Sequence, residues 1–355
     1  MKTMKAVLYT APGRANGSVT QVPYPKCGPD QIIIKVVSSG ICKAADRTID
    51  EGRSSTLDVY PIVPGHEFAG YVEEIGSNVK NFKVGDRVTA DNTLLCGDCY
   101  FCRRDMPIYC DNFGSLGHNI FGGQAEYVLL SKDKVFQIPD NVSFNAASIT
   151  EPVACAMHAI DRMNIQYGEH VLVLGAGAHG QILAMLAHHS NAAYAACVAP
   201  TQWKLDLLNK EGVNTIRMDR SDYSVHESAI LDRFPHGVDK IIDTTGSGEL
   251  GASAIKLLRK GGCLYTYSEP YAPFDLFKRI DVTDFYFREL SLIATGLQTH
   301  NYDRSLEAMS SGKVNAEMLV THEYALDDYF TALDYNLQHG SEVIKVVIHP
   351  WDNLR

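Results

Sequence analysis

The 355-residue sequence has no run approaching the roughly eighteen apolar residues of a membrane-spanning helix. Its start, MKTMKAVLYTAPG, lacks the long apolar stretch and small-residue cleavage site of a secretion signal, so the cytoplasm is the expected compartment. Positive charge is in deficit. With 32 Lys+Arg against 42 Asp+Glu the net charge is −10, a surface that repels phosphate backbones and anionic bilayers, so neither nucleic acid nor membrane is an expected partner. The nine cysteines are too few, and odd in number, for a disulfide scaffold of this length. Internal repeats and low-complexity segments are also missing. What is present is ordinary globular composition, 45% hydrophobic and 21% charged, which sets aside disordered, collagen-like and coiled-coil classes. At about 150 residues per domain, two domains are expected.

Up to about residue 150, short β-type runs alternate with Gly/Pro turns (KAVLY, QIIIKVVSSGIC, FAGYVEEIG, VGDRVTA, AEYVLL), the spacing of a barrel-like all-β lobe. From Glu151 the texture changes. The helical PVACAMHAIDRM precedes the apolar run VLVLGAG, the helix-like HGQILAMLAHHS, the run AYAACVA, then KIIDTTG, a helix over SAIKLLRKG and a strand over CLYTYS. Apolar strands alternating with helices predict a doubly wound parallel sheet. Beyond Thr299, the helices DRSLEAMSSG and DDYFTALDYNL and the strand VIKVVIHP are too little to bury a core of their own, and are expected to rejoin the first lobe.

Within the second lobe, Val171–Leu174 runs into Gly175, Gly177 and Gly180 and then a helix. This is the strand, glycine turn and helix that hold a dinucleotide pyrophosphate, the helix N-terminus offering free N–H groups to the anion. A glycine-rich turn without ligand is the competing reading. The next strand should end in Asp or Glu to bind the adenine ribose, yet Ala199 stands there. Without that carboxylate a 2′-phosphate is not repelled, and Thr201 and Lys204 are close in sequence, so NADP use is expected; an indifferent pocket is the alternative. In the first lobe, Cys96, Cys99, Cys102 and Cys110 fall within fifteen residues, spaced as a closed four-thiolate zinc site of structural type. An iron–sulfur cluster would require an unusual fourth spacing. Cys42 after an apolar strand and His66-Glu67 after a Pro-rich turn add a thiolate, an imidazole and a carboxylate, a mixed donor set that leaves a metal position open, although taken singly a buried cysteine and a core histidine are the plainer reading.

Taken together, PGHEFAGYVEEIGSNVKNFKVGDRV, GIC at 40–42, the four-cysteine loop, GGQAEYV at 122–128, TEPVACAMHA at 150–159 and GAGAHG at 175–180 resemble the zinc-dependent medium-chain alcohol dehydrogenases, within them the sorbitol, polyol and threonine dehydrogenase branch. The resemblance implies an α/β fold: a GroES-like β-barrel catalytic domain (residues 1–153), an inserted Rossmann domain (154–298), and a C-terminal return to the barrel (299–355). It implies two zinc ions per chain. Cys42, His66 and Glu67 would ligate the catalytic one, with Glu151 a second carboxylate beside it that ligates directly or through water and doubles as a proton-handling base. The structural zinc would sit on the four-cysteine loop. The cofactor, NAD(P), is expected to meet Gly175, Gly177, His179, Gly180, Ala199, Thr201, Lys204, Thr245 and Thr295. The implied reaction is hydride transfer between NAD(P) and a secondary alcohol or ketone, with a small polyol, its phosphate or a ketose as substrate. A homodimer or homotetramer is expected by the same resemblance. The alternatives are an NADPH-dependent aldehyde or ketone reductase and a catalytically silent relative acting as a binding protein.

Two departures stand out. The family places Ser or Thr two positions after the zinc cysteine and Asp at the third, but here those positions are Ala44 and Ala45, leaving Asp46, Thr48 and Glu151 as candidates for the proton path. Lys43 puts a cation beside the cysteine. Arg288, in an Arg-Glu pair resembling the family's, is expected to touch substrate hydroxyls. Tyr109, His118, Tyr271 and His300 are further polar candidates in cleft-forming segments.

Overall fold

A computed structural model describes residues 2–53, 57–268 and 275–351. The chain forms two compact units, Met1–Ala154 together with Gln298–Arg355, and Cys155–Leu297. Among the described residues no helix is long and apolar enough to cross a membrane.

In the first unit β1 (Thr3–Tyr9) and β2 (Gly17–Pro23) form an antiparallel pair. The longest strand, β3 (Gln31–Gly40), leads into the short helix α1 (Ala45–Asp50). After it come β4 (Phe68–Ile75), β5 (Arg87–Ala90), the small pair β6 (Thr93–Leu94) and β7 (Gly114–Ser115), β8 (Tyr127–Ser131) and β9 (Val135–Gln137). Helix α2 (Phe144–Ser148) follows, and α3 (Thr150–Met163) begins in this unit and continues into the second, which starts at Cys155. Isoleucines 32, 33 and 34 of β3 are fully buried, because β3 pairs with β4 along one edge and with β8 along the other. Around them Val36, Phe68, Val72, Val88 and Leu116 fill the barrel core.

The second unit carries β10 (His170–Leu174), α4 (Ala178–His188), β11 (Tyr194–Ala199), α5 (Gln202–Lys210), β12 (Asn214–Arg217), α6 (Ser224–Arg233) and β13 (Val238–Asp243). Then come α7 (Gly248–Leu257), β14 (Leu258–Thr266), α8 (Leu276–Arg279), α9 (Val282–Arg288) and β15 (Ser291–Ala294). The six strands lie in the order β12-β11-β10-β13-β14-β15, all parallel, the doubly wound order with its switch point between β10 and β13. Val171, Leu172 and Val173 are fully buried, as expected of a strand covered on both faces. One expected element differs. SAIKLLRKG is helical only to Leu257, and from Leu258 the chain is strand. Leu258 pairs with Val238, and Gly261 takes φ +70°, a backbone that a helix cannot continue through.

The C-terminal segment, α10 (Tyr302–Ser310), β16 (Val320–Ala325), α11 (Tyr329–Gln338) and β17 (Lys345–His349), belongs to the first unit. β17 pairs antiparallel with the end of β3 at Ser39 and Gly40, and α11 buries Tyr329, Ala332 and Leu333 against Tyr9, Ile41 and Ile49. A buried ion pair fastens this return. Lys345 Nζ donates to Glu67 Oε1 at 2.6 Å, with the side chains 6% and 1% exposed. Burial opposes the charge on Lys345, but Glu67 and then Cys42 hold the ammonium above its ordinary pKa range. Removing one partner of such a pair strands a buried charge, so Lys345→Met is expected to lower the unfolding free energy by about 3–5 kcal/mol, read from urea titration.

Candidate active site and cofactor site

Cys42, His66 and Glu67 are brought together by backbone pairing. The Gly40 N–H donates to the Glu67 carbonyl at 2.8 Å and the Ile41 N–H to the Val346 carbonyl at 2.9 Å, so the chain entering Cys42 is held from both sides. A Cβ at Gly40 would collide with the Glu67 carboxylate, which is why no larger residue is accommodated there. Gly65, at φ +101°, makes the turn into His66, and a Cβ on it would lie 2.6 Å from the Gln124 backbone nitrogen. The thiol, imidazole and carboxylate donor atoms all lie within 4.8 Å of one another.

The electrostatics of this set favour a cation. Burial would lower the pKa of His66, but the Cys42 thiolate, its hydrogen bond, Glu151 and Glu67 push it up to about 10. The same surplus of negative charge that would trap a proton there suits a divalent ion with mixed sulfur, nitrogen and oxygen donors. Glu151, in the first turn of α3, acts electrostatically on both His66 and Lys345 but stands outside the three-donor cluster. Neither alanine after Lys43 can hydrogen-bond through its side chain, and Asp46 supplies the nearby carboxylate. It is 1% exposed and accepts the Cys42 N–H at 2.9 Å, its Oδ1 making no hydrogen bond among the described residues. Burial chiefly, eased by His66 and reinforced by Glu67, pushes its pKa up to about 7. Thr48 donates to the Ala44 carbonyl of its own helix at 2.9 Å. The Lys43 ammonium would lie 3.3 Å from a Cβ at Gly340, and burial followed by Arg47 lowers its pKa.

The four cysteines of the loop form a second cluster, their sulfurs within 4.8 Å of one another. Tetrahedral Zn–S bonds of about 2.3 Å place sulfurs about 3.8 Å apart, close to the 3.5 Å between Cys96 and Cys110. Backbone N–H groups already point at sulfur: Cys96 N to Cys110 Sγ at 3.4 Å, and Cys102 N to Cys99 Sγ at 3.5 Å. The latter, with the Asp111 N–H, brings the Cys99 thiol down to about 6 and favours its thiolate. The pairing of β6 with β7 closes the base of this loop.

In the second unit, Gly175 (φ +101°) turns the chain off β10, and a Cβ at Gly180 would strike the Gly175 carbonyl, so α4 approaches the strand only through glycine. At Gly177 a Cβ would meet nothing within 4 Å, and no side chain caps α4, which leaves its first N–H groups to a ligand. These features fit a dinucleotide pyrophosphate. The His179 ring lies 5.1 Å from that of Tyr267. Ala199 ends β11 at 1% exposure, Thr201 precedes α5, and Lys204, 5% exposed, lies 5.4 Å from the Trp203 ring. Thr245 donates to Asp243 at 2.6 Å, and the buried Thr295 hydroxyl has no hydrogen bond among the described residues.

Arg288 corrects its expected role. Its guanidinium is bound to Asp284 at 2.6 Å and to the Ile255 and Leu258 carbonyls, which join α9 to the end of α7 and to β14; those donors are spent inside the fold. Tyr109 is exposed, His300 sits at φ +58° in the turn before α10, and Tyr271 lies outside the described residues. Two contacts of candidate residues went unread in the sequence, Lys345 against Glu67 and Asp58 against His118.

The sequence matches two family models, the alcohol dehydrogenase GroES-like domain over residues 28–140 and zinc-binding dehydrogenase over 178–311. It is 30% identical to D-arabinitol dehydrogenase 1 of Uromyces fabae, covering 98% of this chain and 97% of that protein. It is 31% identical to a sorbitol dehydrogenase of Halalkalibacterium halodurans, covering 98% and 100%. A Sinorhizobium meliloti chain solved bound to NADP shares the fold at TM-score 0.86 and 26% identity, over 99% of this chain and 100% of that one. On these matches and its two-unit architecture, the chain belongs to the zinc-dependent medium-chain alcohol dehydrogenases and is an oxidoreductase of that family.

Proposed function

We propose that the protein transfers a hydride between NAD(P) and a secondary hydroxyl of a small polyol, its phosphate or the corresponding ketose. The observation that carries this reading is the three-donor cluster of Cys42, His66 and Glu67, with Glu151 acting on it electrostatically, in a chain about 30% identical to arabinitol and sorbitol dehydrogenases. Cys42, His66 and Glu67 would hold the catalytic zinc, with Glu151 beside it, and the four-cysteine loop a second, structural zinc. When bound, zinc polarises the substrate oxygen and the nicotinamide carries the hydride. Glu151 would exchange the hydroxyl proton with solvent, and Asp46 would brace the Cys42 backbone. Residues 1–153 and 299–355 would form the catalytic domain and 154–298 the cofactor domain. There Gly175, Gly177, His179, Gly180, Ala199, Thr201, Lys204, Thr245 and Thr295 would meet NAD(P). The buried Ala199, in place of a carboxylate, supports use of NADP, and the same residue favours the reductive direction with NADPH as the second reading. A cytoplasmic homodimer or homotetramer is the form proposed.

Elemental analysis is expected to find about two zinc per chain, and Cys99→Ser about one; a single zinc in the wild type would argue against the catalytic site. Glu151→Gln should lower turnover about a hundredfold, and full turnover at every pH would remove its proton-handling role. Ala199→Asp should shift the kcat/KM ratio at least tenfold toward NAD, and a wild type already strongly selective for NAD would overturn the NADP assignment.

A further inference from the structure

The histidine that stacks on His66 has no role in the reading above. The rings of His118 and His66 lie nearly parallel, 18° apart, with centroids at 5.7 Å. This placement is built by close backbone packing. Gly117, at φ +82°, comes so near Gly65 that a Cβ on it would lie 2.9 Å from the Gly65 nitrogen, and a Cβ at Gly122 would strike the Gly65 carbonyl. The Gly122, Gly123 and Gln124 N–H groups donate to the carbonyls of Val63, Gly65 and Pro64, so the loop carrying His118 is laid against the turn that carries His66. Asp58 then fixes the ring. His118 Nδ1 lies 2.8 Å from Asp58 Oδ1, the carboxylate side chain has no exposed surface, and the Val59 N–H donates to the His118 carbonyl at 3.1 Å.

A carboxylate only accepts, so Nδ1 carries the hydrogen, and the tautomer this contact selects has its acceptor lone pair on Nε2. Among the described residues Nε2 has no hydrogen-bond partner, although the His118 side chain is only 15% exposed. A half-desolvated acceptor, with its tautomer set, thus stands beside the metal-donor cluster. We propose that His118, oriented by Asp58, is the specificity-determining residue that accepts a hydrogen bond from the substrate hydroxyl next to the one being oxidised. The substrate class is then a vicinal diol within a polyol rather than an isolated secondary alcohol. This rests on the dehydrogenase reading above and sharpens it. A site built to bond a hydroxyl discriminates against the analogue that lacks it, because an acceptor largely screened by protein then loses its partner.

The test compares a pentitol with 2-butanol in the zinc-loaded enzyme. Asparagine reproduces the Nδ1 donor toward Asp58 without an equivalent of Nε2, whereas glutamine returns a polar atom near the Nε2 position. His118→Asn is expected to lower the ratio of kcat/KM for pentitol over that for 2-butanol roughly ten- to a hundredfold, mainly through KM, and His118→Gln to recover part of it. Zinc content should equal that of the wild type in both. An unchanged ratio overturns the proposal. Equal losses on both alcohols, or a zinc lost from the variants, would make His118 a structural buttress of His66 and also overturn it. If His118→Asn does not fold, Asp58→Asn frees the tautomer and must shift the same ratio in the same direction for the proposal to stand. Turnover of neither alcohol by the wild type would instead remove the dehydrogenase reading on which the proposal rests.

Discussion

A carboxylate and an ammonium, 278 residues apart in the chain, meet where no water can compensate either of them. Much of the first unit follows from that meeting. Lys345 opens β17, Glu67 immediately precedes β4, and between them the end of β3 is clamped by backbone bonds to both neighbours. A side chain at Gly40 would collide with the Glu67 carboxylate of the pair, while Gly65, packed against the Gln124 backbone, makes the turn into His66 beside it. Buried pairs of this kind add little net stability over an apolar substitute. Here the gain is positional, because the ion pair sets where three donor atoms stand.

Glycine performs a related task in each unit. Around His66 the positions 65, 117 and 122 let two backbone segments approach at distances that a Cβ forbids. In the second unit Gly175 and Gly180 do the same for α4 and β10, while Gly177 leaves open space and uncapped N–H groups facing it. The first arrangement brings side chains together, and the second keeps them away so that backbone can meet an anion.

The barrel strands, the parallel sheet and the returning tail were legible because each rests on local pattern: short β-branched runs in β3 and β4, fully apolar runs in β10 and β11, turn residues between them. The short edge strand β12 has no such signature, with NTIR mostly polar, and it was missed. The helix expected through Gly261 ends at Leu257 because pairing of Leu258 with Val238 outweighs the local helical pattern. The cysteine loop and the glycine turn could be singled out by residue type and spacing, whereas Cys42, His66 and Glu67 stood out only through the family resemblance. Lys345, Asp58 and the true partners of Arg288 could not. Their meaning lies in contacts across 278, 60 and about 30 residues, and one sequence carries no trace of which distant side chain will be opposite.

The pairing of β17 with β3 also dictates an order of events. A nascent chain emerging from the ribosome has its Rossmann sheet complete while β3 still lacks a neighbour along half of one edge and Glu67 still lacks its counter-ion. The lobe synthesised first is therefore the last that can finish, and Glu67 waits for its partner until β17 has been made.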